Sequence, residues 1–113
     1  MITLADLRRY GADTERGLAT CMGNEALYLR LVNSVPSEQR FEDLARAILE
    51  GNREDAFEAA HALKGVLGNL SLTPLFEKTS EITELLRSGE DADYEKLLAE
   101  LTQERDTLKR LCE

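Results

Sequence analysis

A single histidine, His61, stands among 113 residues. It lies in the stretch AAHALKGVLGNL, residues 59 to 70, followed by Lys64, Gly65 and Gly68. An imidazole titrates near ~6.5, so a neutral, nucleophilic ring nitrogen is available at cellular pH. On a helix, His61, Lys64, Gly65 and Gly68 follow i, i+3, i+4, i+7 and share one face. Ala56, Ala60, Leu63, Leu67 and Leu70 fall on another, apolar face. Each glycine costs about 1 kcal/mol against alanine in a helix interior, so something must need the missing side chains. Because they sit away from the apolar face, neither glycine is expected to admit a neighbouring helix. Both are expected to flatten the outer surface around the imidazole and the ammonium. A bare, cationic patch around a nucleophile suits close approach by another macromolecule.

Other chemistries fit less well. Cys21 and Cys112 show no CxxC or metal-ligand spacing, and two cysteines in a helical chain are more often reduced than bridged. A Cys/His nucleophilic pair lacks a strained turn or oxyanion donors to support it. One histidine with scattered carboxylates makes a weak metal site. No glycine-rich phosphate loop is present, so the chain is expected not to use ATP. A formal charge of −8, from 14 Lys and Arg against 22 Asp and Glu, argues against a nucleic-acid backbone or an anionic membrane surface as partner. No apolar run approaches the ~20 residues of a membrane span. The opening MITLADLRRYG carries charge by Asp6, unlike a secretory signal. A cytoplasmic location is the expectation.

The elements that must position His61 are helices. The chain is rich in Ala, Glu, Leu, Lys and Arg and has no tryptophan, a profile of helices packed on aliphatic side chains. A short helix follows Thr3 and ends at Gly11; a second, TERGLATCM, follows Asp13 and ends at Gly23. Asn24 caps a third, with Tyr28, Leu31, Val32 and Val35 at i, i+3, i+4, i+7. Pro36 kinks this helix or separates it from the next, whose stripe is Phe41, Leu44, Ala45 and Ile48. Gly51 suits a helix C-terminus and Asn52 the next N-cap. The His61 helix spans residues 53 to 70. Thr73 caps a helix over 74 to 88 with Pro74 at its first position and Leu75, Ile82, Leu85 and Leu86 inward. Asp91 or Asp93 starts the last helix, with Tyr94, Leu97, Leu98, Leu101, Leu108 and Leu111 on one stripe. The expected fold is all-α, a single domain over 1–113: an antiparallel up-and-down four-helix bundle with short N-terminal helices. Pairing of residues 93 to 112 as an oligomeric coiled coil is disfavoured, because Arg105 interrupts the apolar stripe.

The stretch AHALKGVLGNLSL resembles the signature of histidine-containing phosphotransfer (HPt) domains, the helical carriers of two-component phosphorelays. That signature is a histidine, a lysine three later, a glycine four later, and small residues about seven and ten later. DTERGLATCMGNEALYLRLV is similar to the family's N-terminal pattern, and EGNREDAFEAAHALKG to its approach to the histidine helix. One departure is Ser71, where the family commonly has glycine; a small residue there is expected to keep most of the space. The region around Pro36 is shorter than is usual in the family.

The resemblance implies that His61 is the phosphoacceptor and that Lys64 offsets the arriving negative charge. It implies that Gly65 and Gly68 let a receiver domain's loops reach the imidazole. Beyond the signature, Leu18 and Met22 on the second helix, with Phe57 and Leu72 flanking the His61 face, are expected to form an apolar docking rim. The resemblance further implies a monomeric carrier without kinase activity or a cofactor of its own, any Mg²⁺ being supplied by the partner. The partners would be response-regulator receiver domains and a hybrid sensor histidine kinase. The alternative is a helical adaptor that binds a receiver or kinase domain without carrying phosphate.

Overall fold

The computed structural model describes residues 1–113 and contains helices and no strand. Seven α-helices follow in order: α1 (Leu4–Tyr10), α2 (Thr14–Thr20), α3 (Glu25–Ser34), α4 (Gln39–Leu49), α5 (Arg53–Asn69), α6 (Thr73–Ser88) and α7 (Tyr94–Cys112). A single 3₁₀ turn, Val35–Ser37, contains Pro36 and separates α3 from α4. Proline lacks the N–H that a continuous helix would need there.

Caps define most boundaries. The Thr3 hydroxyl accepts from the Asp6 N–H while the Asp6 carboxylate accepts from the Thr3 N–H, a reciprocal box that satisfies two orphan donors. Asp13, Asn24, Asn52 and Asp93 each accept a backbone N–H three residues on. Gly51, at φ 72°, turns the chain between α4 and α5 in the left-handed region that glycine enters without penalty.

Three expectations shift. The second helix stops at Thr20, because Met22 and Gly23 both take positive φ. Thr73 is the first residue of α6 rather than its cap; Leu72 holds the cap position without a side-chain hydrogen bond. Among the stripe residues, Ala45 is exposed and Ala47 is buried in its place, while Leu31 lies at the solvent edge.

Helix α4 packs on α5, α5 on α6, α6 on α7, and α7 returns to α4 and the 3₁₀ turn. A single cluster of 22 buried residues runs from Ile2 to Leu108. Ala56, Ala60, Leu63, Leu67 and Leu70 all lie in it, so the apolar face of α5 is the one assigned from periodicity. Arg105 keeps its place on α7 by laying its guanidinium over the Phe41 ring, 5.4 Å from the centroid, a cation–π contact that lets a charged residue cover the core. No helix is long and apolar enough to cross a membrane.

The first three helices close one end of this core. Tyr28 is fully buried, and its hydroxyl donates to the Leu70 carbonyl at 2.8 Å. The Asp13 N–H donates to the Ser71 carbonyl at 3.0 Å. Both bonds fall on the turn that joins α5 to α6. Gly17 makes the closure possible: a Cβ there would lie 2.4 Å from the Tyr28 ring.

Candidate functional site

Helix α5 is held by its apolar face and both its ends, and His61 projects from the middle of its exposed side. Phe57, one turn earlier, stacks on the imidazole with ring centroids 5.7 Å apart and planes 13° from parallel. An offset stack of this kind orients the ring while His61 as a whole stays exposed. One turn later Lys64 is half-buried, its stem lying on the surface between α5 and α6. Its ammonium stands 3.9 Å from Glu84 Oε1 on α6.

Gly65 is exposed, and a Cβ built on it meets nothing within 4 Å. That agrees with a bare outer surface. Gly68 does not. A Cβ there would stand 3.0 Å from the Phe76 ring of α6, so this glycine makes room for a neighbouring helix, contrary to the expectation from α5 alone. The outer rows of one helix face meet the flank of the next where their axes lie close. Together His61, Lys64, Gly65, Gly68, Asn69 and Phe76 line an open depression of about 280 Å³.

The other sequence-assigned residues scatter. Phe57 is half-buried and touches the imidazole. Leu18 is half-buried against the core on α2, and Met22 is 94% exposed at the α2–α3 turn. Neither lines the depression that holds His61. Leu72 is wholly buried. It belongs to the core under the α5–α6 turn and offers no surface to a docking rim. Its burial follows from its position between two helices that must close tightly, which the pattern of α5 alone did not reveal.

Helix α6 contributes residues that α5's sequence could not announce. Phe76, Glu84 and Arg87 lie along one stripe of it, at i, i+8 and i+11. Arg87 places its guanidinium 5.1 Å from the Phe57 ring centroid, and its Nε lies 3.4 Å from Glu84 Oε2. Glu84 therefore faces Lys64 with one oxygen and Arg87 with the other. The helical spacing of this stripe was the available signal. It becomes meaningful only once α6 is known to lie beside the histidine face.

Ser71 explains the departure noted in the signature. It takes φ 53° at the α5–α6 turn, a left-handed conformation in which glycine is unstrained. The demand at this position is on the backbone rather than on space.

A nucleophilic ring open to solvent, one face stacked, a cation one turn away and a stretch of bare backbone can receive a group from a large donor. The depression around it is open to solvent rather than closed over. A family model described as the Hpt domain matches residues 36–111, spanning α4 to α7 and leaving α1 to α3 outside the match. No curated protein and no solved structure matches the chain.

Proposed function

The chain belongs to the Hpt domain family, whose members act in histidine phosphotransfer, and on that premise we propose that His61 is its phosphoacceptor. The protein carries a phosphoryl group between aspartates of receiver domains. The observation that carries this reading is the exposed, stacked imidazole beside Lys64 and the open Gly65 backbone.

Transfer begins with a neutral ring nitrogen, Nε2 in this reading, attacking the phosphorus of an aspartyl phosphate. The N–P bond forms as the P–O bond to the aspartate breaks, and the carboxylate leaves with the electron pair. The other ring nitrogen keeps its proton. Phe57 holds the ring plane, and the Lys64 ammonium, one turn along, offsets the charge of the incoming phosphoryl oxygens. Mg²⁺ is the receiver's contribution. Handing the group on is the same step reversed, and it needs the same access, which the absence of a side chain at Gly65 supplies. Gly68 acts one step removed, by letting Phe76 pack and so fixing the wall of the depression.

The ring of helices α4 to α7 acts, in this reading, as an up-and-down four-helix bundle within one domain. The protein works as a cytoplasmic monomer that receives phosphate from a hybrid sensor kinase. Phe57, with Leu18 and Met22 further off, supplies apolar contact to the receiver.

The test is incubation with a phosphorylated receiver. The wild type should gain acid-labile phosphate, and His61→Gln should gain none while keeping its helical circular dichroism and melting temperature. ATP and Mg²⁺ alone should label neither. Binding of the receiver without any labelling of the wild type would identify an adaptor instead.

A further inference from the structure

Lys64 is not free. In the structure its ammonium is paired with Glu84, and Glu84 also pairs with Arg87, which lies over the very ring that stacks on His61. We infer that Glu84 is a positioning residue that competes with the phosphoryl group for Lys64, and so limits how strongly phosphohistidine is held. The inference rests on the reading of His61 as phosphoacceptor.

The geometry favours exchange over a permanent ion pair. At 3.9 Å, with Glu84 58% exposed, the Lys64 contact is loose and shared with solvent. Pairs of this kind contribute little to folding. The Lys64 side chain, by contrast, is only 29% exposed, so its stem stays against α5 and α6 while the ammonium can swing. A dianionic phosphoryl group on His61 draws it one way and Glu84 draws it the other. Arg87, its guanidinium over the Phe57 ring, gives the carboxylate a second partner on α6. A carrier must release its cargo as readily as it accepts it. A resident carboxylate that reclaims the lysine serves that end.

Phosphoramidate tests this without a receiver. The N–P bond of phosphoramidate breaks as the new N–P bond to His61 forms, and the leaving nitrogen takes up a proton to depart as ammonia. Loading rate and the half-life of phosphohistidine are read by ³¹P NMR for wild type, Glu84→Gln, Lys64→Ala and the double variant. Glu84→Gln should lengthen the half-life about two- to fivefold, the range expected for a partly exposed charge pair. The gain should vanish at about 1 M salt, where exposed charges are screened, and should be absent in the Lys64→Ala background. Melting temperatures should be unchanged throughout. An unchanged or shortened half-life in Glu84→Gln overturns the inference, as does a gain that persists without Lys64. Failure of phosphoramidate to label His61 in the wild type would instead overturn the phosphoacceptor reading itself.

Discussion

Gly65 and Gly17 are both helical glycines, and the molecule uses their missing side chains in opposite ways. Around Gly65 the space a Cβ would occupy is empty, and an imidazole stands one turn away. Around Gly17 the space is filled by the Tyr28 ring, at distances no real Cβ tolerates. One glycine keeps a surface open for something to arrive; the other lets something already present fit. In the proposed reading the first region carries the chemistry. The second carries no chemistry and closes the end of the core.

The sharpest way to break this contrast is Gly65→Leu. Leucine is the better helix former by most of ~1 kcal/mol, so thermal unfolding should be unchanged or slightly later. Phosphotransfer from a receiver should fall on the order of a hundredfold, because a displacement of about 1 Å at a reacting centre costs that much. A large fall in melting temperature would mean Gly65 is packed like Gly17. Unchanged transfer would mean no partner approaches this face.

Gly17→Ala should show the reverse pattern. Tyr28 is fully buried and pinned by its bond to Leu70, so the ring has nowhere to go. Overpacking should cost about 1–3 kcal/mol in denaturant unfolding, partly offset by alanine's helix propensity. Loading of His61 by phosphoramidate should persist at temperatures where the variant is folded.

Tyr28→Phe probes the same clasp by removing one hydrogen bond and leaving the Leu70 carbonyl without that donor. The expected loss is about 1 kcal/mol, the net worth of such a bond plus part of the desolvation left behind. Alkaline titration gives a second reading. Burial, with Cys21 and Asp13 nearby, pushes the Tyr28 phenol up from 10.0 to about 12. The unfolded chain loses this proton first, so the folded state binds more protons between those values and stability falls as pH rises. The contribution is intact below pH 10 and gone above about 12. Tyr10, half-buried and donating its hydroxyl to the Glu104 backbone carbonyl, is raised as well. Tyr28→Phe should make the alkaline decline shallower; an unaltered decline would remove Tyr28 from the account.

The smallest effect belongs to Ser71→Gly, at the junction of the two regions. Relief of the left-handed strain should stabilise by up to about 1 kcal/mol, less the extra freedom glycine has when unfolded. Transfer should not change.

These contrasts also mark what a linear reading could and could not reach. The apolar face of α5, its N-cap at Asn52 and the exposure of His61 all follow from residues within one helix, and periodicity finds such features. The expectation of open space at Gly68 and that of surface at Leu72 fail for a common reason. Their surroundings come from α6, and the pattern of α5 contains no measure of how closely α6 lies. Glu84 and Arg87 escaped for the same reason. Ser71 stood out by type, but only the backbone angle showed why its position favours glycine. Features set by one helix were legible; features set by the crossing of two were not.

The clasp on the α5–α6 turn bears on where the unit ends. The family match begins at residue 36, yet Ile2, Leu7, Tyr28 and Val32 are among the most deeply buried side chains of the common core. A border drawn by resemblance therefore cuts through a continuous interior. Excision at that border would strip the lid from Leu70 and Ser71 and leave their carbonyls to water. The stretch that matches the family and the stretch that shares one buried core are different lengths of the same chain. The additional helices are what fasten the histidine helix at its C-terminal end.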